Sequence, residues 1–351
     1  MPSLKKIAAD LGVSYTLVSK VLSGRMGTTG VTPEKRDAIL RRAQELDYQP
    51  NRLAVALKQG RKGSLGIFFH SMGVPGSELS YAFVKEASAR LVDCGSRLWL
   101  RFFSEDQELL ELCRSNLGRE LDGLLVAGEP HPDVVEELLS LEKKGLPVVF
   151  ASARLNVHNE RVVNIEVDNE MQGYLPTRHL LDLGCRRIAA FRVHDRFRVS
   201  ALRYAGYLRA LAEFDLQEDP SLVVSVDSFW SGEGFRGMSE LLKRKVDFDA
   251  LVAPSDALAM GAINHLVRHT DRPIADWPRI TGVDDSPLTE TSLLPITSAT
   301  AEMESCAIVA VQTLLDKIEG KKVSSRRILP RLIERESSLK VPGRDTTVLP
   351  D

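Results

Sequence analysis

The sequence predicts a small all-α headpiece followed by an α/β domain of two lobes. The first 50 residues contain three short amphipathic helical patterns separated by turn residues. From residue 64 onward, strand patterns alternate with helical patterns, which indicates doubly wound parallel sheets with helices on both faces. Charge divides at the same place, because residues 1–63 carry a net charge of +7 and the remainder −9. A basic head on an acidic body is typical of a nucleic-acid reader joined to a domain with another task.

The segment 14–23, SYTLVSKVLS, predicts the helix around which the headpiece is organised. Val18, Val21 and Leu22 fall on one apolar stripe, and the Ser14 hydroxyl is suited to cap the first turn. The opposite face carries Tyr15, Thr16, Ser19 and Lys20. Hydroxyls, a phenol and a lysine at the exposed N-terminal end of a short helix are suited to a DNA major groove.

The flanking residues predict a helix–turn–helix. Ser3 is suited to cap a helix over residues 4–12, and Gly12 allows the tight turn that follows. A third helix is expected to begin at Thr32-Pro33-Glu34 and to stop at Pro50. A generic helical hairpin with no DNA role is the alternative for the first two helices taken alone.

Residues 51–60, NRLAVALKQG, have a helical pattern of about two turns, which is too short to be stable alone in water. The apolar centre with basic flanks fits a DNA minor groove, where a leucine can open a base step. A stiff interdomain linker with incidental leucines remains the alternative.

Length and composition exclude several classes. A chain of 351 residues predicts two or three domains, and it has no long apolar run and no N-terminal signal peptide pattern. The scattered cysteines Cys94, Cys113, Cys185 and Cys306 predict buried thiols in a reducing cytoplasm. No spacing indicates a metal, a cofactor, a phosphate loop or a catalytic constellation, so we expect none of these.

The alternation is too long for one sheet and predicts two similar lobes with a cleft between them. We expect a headpiece over 1–50, a hinge helix over 51–62, an effector and dimerisation domain over 63–342, and a tail over 343–351. Lobe 1 is expected at about 63–155 plus about 290–320, and lobe 2 at about 160–285 plus about 325–342. Ligands in such folds bind at the carboxyl ends of strands and between lobes.

The headpiece contains the segments LKKIAADLGVSYTLVSKVLSG, VTPEKRDAILRRAQELDYQPN and RLAVALK. These segments resemble the LacI/GalR (lactose-repressor) family of bacterial transcription regulators. The resemblance implies that Tyr15 and Thr16 read bases, with Lys20 a further base-reading position. It implies that Leu57 intercalates at the operator centre with Ala54 beside it. The full set of expected DNA-binding residues is Ser14, Tyr15, Thr16, Ser19, Lys20, Asn51, Arg52, Ala54, Leu57 and Lys58.

The second part of the chain contains the segments VDNEMQGYLPTRHLLDLGCRRIA, RYAGYLRAL, DALVAPSDALAMG and ITGVDDSPL. These segments resemble the same family's effector domain, which is built like a periplasmic sugar-binding protein. By this resemblance Arg203 is the arginine that grips effector oxygens, and Asp284 is the cleft aspartate. A surface ion pair and a helix N-cap are their respective structural alternatives. The expected effector-binding residues are Arg203, Asp284, Phe229, Ser255, Ser71 and Tyr81, with Trp230 an alternative to Phe229.

These features lead to the hypothesis of a ligand-responsive repressor that binds a palindromic operator as a homodimer. The effector is expected to be a small molecule, most simply a sugar, in the interlobe cleft. The tail has no leucine heptad, so a dimer is expected rather than a tetramer. A periplasmic-type sugar-binding protein without a DNA role is the main alternative, and an α/β enzyme with a regulatory head is the other.

Overall fold

The computed structural model divides the chain into two compact units, residues 1–63 and 64–351. The described residues are 3–22, 30–48, 61–70, 78–93, 96–115, 117–155, 159–194 and 198–339. Each unit is built on its own cores, so each is described separately.

The first unit contains three helices, α1 (Leu4–Asp10), α2 (Tyr15–Leu22) and α3 (Pro33–Glu45). The hydroxyls of Ser3 and Thr32 cap α1 and α3 by accepting hydrogen bonds from backbone N–H groups. The side chains of Ile7, Val18 and Ile39, one from each helix, are fully buried against one another. These contacts confirm the predicted three-helix headpiece.

Helix α3 ends five residues before Pro50, where the sequence analysis placed its end. Leu46 is the C-cap, and Asp47 takes the left-handed conformation with φ of 46°. The backbone N–H of Tyr48 then donates to the carbonyl oxygen of Ala43 at 2.8 Å. This hydrogen bond, to a carbonyl group five residues earlier, closes the last turn of the helix. The helix therefore ends in a C-terminal capping motif and not at the proline.

The second unit contains two six-stranded sheets. The strands of the first are β1 (Ser64–His70), β2 (Arg97–Phe103), β3 (Gly123–Gly128), β4 (Val148–Ser152), β5 (Asn164–Val167) and β11 (Arg326–Ile328). Their order in the sheet is β11-β5-β4-β3-β1-β2, and all the pairings are parallel. Its helices are α4 (Glu78–Asp93), α5 (Asp106–Cys113), α6 (Leu117–Glu120), α7 (Pro132–Lys143) and α13 (Met303–Ile318).

The strands of the second sheet are β6 (Ile188–Val193), β7 (Val223–Val226), β8 (Ala250–Val252), β9 (Arg279–Asp284), β10 (Thr297–Thr300) and β12 (Leu332–Ile333). Their order is β12-β10-β9-β8-β6-β7, and among these described strands only β12 is antiparallel to its neighbour. The helices of this lobe are α8 (Asn169–Asp182), α9 (Arg198–Ala212), α10 (Ser231–Lys243), α11 (Asp256–His269) and α12 (Leu288–Thr291).

The predicted lobe boundaries need three corrections. Strand β5 was expected in lobe 2, but it pairs with β4 in the first sheet. Strand β10 was expected in lobe 1 but pairs with β9 in the second sheet, and β11 was expected in lobe 2 but pairs with β5. The chain therefore crosses between lobes after Val167, after Thr300 and after Ile328, because strand pairing, which the local pattern does not encode, decides the lobe to which a segment belongs.

Apolar side chains cover both faces of each sheet, as parallel strands require. All seven residues of β1 are buried. Edge strand β2 differs, because Trp99, Leu100 and Phe102 are 37%, 40% and 60% exposed. Cys113, Cys185 and Cys306 are buried and free, as predicted, whereas Cys94 lies outside the described residues. Burial raises the pKa of the Cys113 and Cys306 thiols to about 12, which makes both unreactive.

Within the described residues, none of the helices has the length and apolar character needed to cross a membrane. The same part of the chain contains no group of three or more His, Cys, Asp or Glu side chains that could hold a metal ion.

Candidate functional site

Helix α2 presents the polar surface that the sequence predicts. Val18 and Val21 face the headpiece core, and the Ser14 hydroxyl accepts a hydrogen bond from the Leu17 N–H at 3.2 Å. Ser14, Tyr15 and Thr16 are exposed, with 46% of Tyr15 accessible, whereas Ser19 and Lys20 are half-buried. The N-terminal end of the helix is therefore its most accessible part, and it is the end that enters a groove in this motif.

Six expected site residues lie outside the described residues. They are the hinge positions Asn51, Arg52, Ala54, Leu57 and Lys58, together with Ser71 of the first lobe. Their roles stay predictions from the sequence.

A cavity of about 720 Å³ lies between the two lobes of the second unit. The predicted residues Tyr81, Arg203, Phe229, Ser255 and Asp284 all line it. Because β3, β4, β9 and β10 all end at this cavity, it occupies the carboxyl ends of both sheets, where ligands bind in open α/β folds. The volume falls in the range of pockets for small organic ligands.

Arg203 is buried and held by three neighbours. Its Nε and Nη2 donate to Gln172 Oε1 at 3.1 and 2.9 Å, and its Nη1 donates to the Pro254 carbonyl oxygen at 2.5 Å. Its Nη2 also donates to Asp284 Oδ1 at 3.3 Å. With 7% of Arg203 exposed, the surface ion pair is ruled out. Four of the five N–H groups of the guanidinium are engaged, so a two-oxygen grip on a ligand, as the sequence analysis expected, would require this network to rearrange.

Two glycines bring α8 and α9 close enough to build this network. A Cβ on Gly173 would lie 1.8 Å from the Arg203 carbonyl oxygen, and one on Gly206 would lie 2.0 Å from that of Glu170. Gln172, next to the first glycine, is 1% exposed and donates through Nε2 to the Thr300 carbonyl oxygen at 2.9 Å. The close packing of these two helices thus fixes the position of Arg203 at the floor of the cavity.

Asp284 ends β9 with φ of 118°, a strained conformation for a residue other than glycine. Burial raises the pKa of its carboxyl to about 6, and the attraction of Arg203 only partly opposes this effect. Asp256 is also buried, and burial followed by the charge of Asp284 raises its pKa well above the ordinary value. Its oxygens accept hydrogen bonds from the Ser298 hydroxyl and the Ser286 N–H at 2.6 and 2.8 Å. The two carboxyl groups compete for ionisation, so the floor of the cavity holds less negative charge than its composition suggests.

The remaining predicted residues differ in their availability. The Ser255 hydroxyl caps α11 through the Leu258 N–H at 3.2 Å, so it is already engaged. Phe229 lines the cavity, with its ring centroid 5.9 Å from Arg203 Cζ, whereas Trp230 is 49% exposed and does not belong to the described lining. Tyr81 is 70% exposed.

Sequence reasoning missed several lining residues. They include Lys85, Glu129, Ser152, Asn169, Gln172 and Met260. Ser152 has φ of 74°, and its hydroxyl accepts a hydrogen bond from the Gly128 N–H at 3.0 Å. Their positions in the sequence pattern could have indicated them. Glu129 follows a buried strand, Ser152 ends one, and Asn169 begins the helix that comes after one.

Comparison with known proteins extends over nearly the whole chain. The family model for a periplasmic binding protein-like domain matches residues 177–338. The regulator CelR of Thermobifida fusca is 29% identical over 340 residues, which is 96% of this chain and 98% of CelR. The repressor PurR of Erwinia tasmaniensis is 28% identical over 352 residues, 98% of this chain and 99% of PurR. Both alignments include the headpiece, so they do not support the alternative of a sugar-binding protein without a DNA role. Both relatives are transcription regulators and not enzymes.

Solved structures agree with this comparison. The complex of CelR with cellobiose superposes with a TM-score of 0.70 at 28% identity, covering 96% of this chain and all of that one. The lac repressor dimer bound to operator and the anti-inducer ONPF shares the fold, with a TM-score of 0.75 at 20% identity over 96% of this chain and 99% of that one. The headpiece, the two-lobed domain and the full-length similarity to regulators lead to one conclusion: the chain is similar over nearly its whole length to HTH-type transcriptional regulators, in agreement with the resemblance of its sequence to the LacI/GalR family.

Proposed function

We propose that this protein is a cytoplasmic repressor that binds a palindromic operator as a homodimer and whose operator affinity is set by a neutral sugar in the interlobe cleft. The observation that carries the effector part is the cavity of about 720 Å³ whose buried floor is the Arg203–Gln172–Asp284 network.

The chemistry of the cavity favours a neutral polyhydroxyl ligand over an anion. Asp284, Asn169 and Ser152 offer oxygen and nitrogen atoms to hydroxyl groups, and a carboxylate accepts two hydrogen bonds from vicinal hydroxyls. Phe229 and Met260 supply an apolar side for the C–H face of a sugar ring. An anion would meet Arg203 with its N–H groups already engaged and would face several carboxyl groups. The relative solved with cellobiose supports the same ligand class.

The DNA part of the proposal assigns base contacts to Tyr15, Thr16 and Lys20, with Ser14 and Ser19 beside them on the same surface. The hinge residues Asn51, Arg52, Ala54, Leu57 and Lys58 would bind in the minor groove at the operator centre. One headpiece neutralises few phosphates, so two heads on a two-fold axis are needed for tight binding.

The dimer part of the proposal is supported by edge strand β2. Among the described residues, β2 pairs only with β1, so its outer edge is apolar at Trp99, Leu100 and Phe102, a surface that single soluble domains avoid. A second copy of the chain would cover this surface.

The experiment that tests the effector class is a thermal-shift screen followed by calorimetry on the full-length protein. Cellobiose and other neutral mono- and disaccharides form one arm, and sugar phosphates and nucleobases form the other two. Binding of a neutral sugar with a raised melting temperature supports the proposal. Binding confined to sugar phosphates or nucleobases would overturn it.

A further inference from the structure

Two histidines lie about one helical turn apart at the end of α11. His265 and His269 belong to the sequence HLVRH, and positions i and i+4 of a helix share one face. The centres of their imidazole rings are 4.7 Å apart, with an angle of 36° between the ring planes. His265 is buried, with 7% exposed, whereas His269 is exposed. Neither residue belongs to the described lining of the cleft, so the pair is separate from the effector site.

The phenyl ring of Phe235, on the neighbouring helix α10, contacts both imidazoles. Its centre lies 4.7 Å from that of His265 and 5.6 Å from that of His269, at interplanar angles of 71° and 74°. The two helices approach closely at a glycine, because a Cβ on Gly234 would lie 2.0 Å from the Leu258 carbonyl oxygen. The edge-to-face contacts of one phenyl ring with both imidazoles hold the two rings in their relative arrangement.

The imidazole nitrogens of this pair are not engaged with other described residues. No hydrogen bond or ion pair joins either ring to the described part of the chain, and Nδ1 of His265 is buried without a partner. Burial, together with the positive charges of His269 and Lys243, lowers the pKa of His265. This ring is therefore neutral at neutral pH, which is the form that binds a metal ion.

The separation of the two rings is the one that a chelated ion requires. Two imidazoles that bind one ion at a right angle, through bonds of about 2.1 Å, have ring centres about 4.6 Å apart, whereas a tetrahedral angle places them about 5.3 Å apart. The observed 4.7 Å fits the right angle. Nitrogen ligands at right angles are typical of the square-planar and tetragonal sites of Cu²⁺ and Ni²⁺, and tetrahedral ligands are typical of Zn²⁺.

We propose that His265 and His269 form a binding site for a divalent transition-metal ion, Ni²⁺ or Cu²⁺ in preference to Zn²⁺, at the end of α11. The helix dipole favours a cation there, because His269 is the last residue of the helix, and Lys243 is the charge that opposes it. The described residues contain no group of three ligands, so water would complete the coordination and the ion would stay exchangeable. The sequence analysis expected no metal, because two histidines without a third ligand match no metal motif.

Electron paramagnetic resonance of the full-length protein with one equivalent of Cu²⁺ counts the nitrogens that bind the ion. The wild type is expected to show coupling to two imidazole nitrogens. His269→Gln removes one ligand at an exposed position, where the fold does not depend on it, and is expected to lose the two-nitrogen signal. Calorimetry with NiCl₂ is expected to show an affinity at least about tenfold lower in this variant, since even changes beside a metal ligand have effects of this size.

The matched control is His131→Gln, which removes an exposed histidine of the first lobe that lies 3.4 Å from Asp133. It is expected to keep both the copper signal and the Ni²⁺ affinity of the wild type. The site is overturned if the wild type shows fewer than two coupled nitrogens, or if His269→Gln keeps the wild-type affinity. Tighter binding of Zn²⁺ than of Ni²⁺ would overturn the right-angled geometry. Because no DNA or sugar is present, these results are independent of the proposed function.

Discussion

Arg203 and Asp284 are in contact in the cleft but differ in their environments. The arginine is surrounded by acceptors from its own lobe, and its contact with Asp284 fixes that carboxylate at the end of β9. The aspartate carries the strained backbone and the raised pKa, which are features of functional positions. We therefore propose that Asp284 contributes most of the ligand recognition and that Arg203 orients Asp284.

Asp284→Asn tests this assignment. The substitution keeps the size of the side chain but removes the charge that pairs with Arg203 and accepts ligand hydroxyls. We expect the affinity for the sugar found by calorimetry to fall about 10- to 100-fold, since a hydrogen bond to a charged group contributes about 1.5–3 kcal/mol. Operator binding without sugar is expected to stay within about twofold of wild type, and unchanged sugar affinity would contradict the assignment.

Among the elements, α2 and the α8–α9 pair carry most of the residues to which the proposed function assigns DNA and ligand contacts. Helix α2 is positioned by its buried valines, Val18 and Val21, which leaves its N-terminal end exposed to solvent. Helices α8 and α9 are positioned by glycines that allow their backbones to touch below the cleft.

Lys20→Ala is expected to change the base preference of the protein. The lysine lies on the second turn of α2, where a side chain can donate to the guanine O6 and N7 acceptors, so its loss should relax specificity at one position of each half-site by about 1–3 kcal/mol. Selection from random DNA measures the preference. Lys35→Ala on the exposed start of α3 is the control, and an unchanged profile for Lys20→Ala would show that this residue does not read bases.

Gly173→Ala is expected to separate α8 from α9. The added methyl group meets backbone atoms of Arg203, which cannot move aside as a flexible side chain can, so we expect a loss of about 1–3 kcal/mol of unfolding free energy and weaker sugar binding. Chemical denaturation measures the first effect and calorimetry the second. Gly232→Ala on α10 meets nothing within 4 Å and should be neutral or stabilising. Equal behaviour of the two variants would contradict this account of the helix contact.

Tight binding to a palindromic operator, as proposed, requires two copies of the chain. Phe102→Lys places a charge on the exposed edge strand β2, where a partner would bury it. We expect sedimentation to show monomers at concentrations where the wild type is dimeric, together with weaker operator binding. Leu242→Lys, on a 37% exposed leucine of the other lobe, serves as the control, and a dimeric Phe102→Lys protein would rule out this surface.

The headpiece, the two sheets and five of the cavity residues could be predicted from the sequence. Local periodicity, capping residues and the motifs that resemble the family all lie within short segments of the chain. It misplaced β5, β10 and β11, because these short strands carry no mark of which sheet they join. It missed Gln172 for a related reason. The position of Gln172 in the site depends on its hydrogen bond with Arg203, 31 positions away.

The central claim is that occupancy of the cleft sets the affinity for DNA. The direct measurement is the titration of labelled operator, found by selection from random DNA, with full-length protein in the absence and presence of saturating sugar. We predict a change in operator affinity of about 5- to 150-fold, which corresponds to a coupling of about 1–3 kcal/mol, and its loss in Asp284→Asn. An operator affinity that stays the same while calorimetry shows the sugar bound would contradict the account.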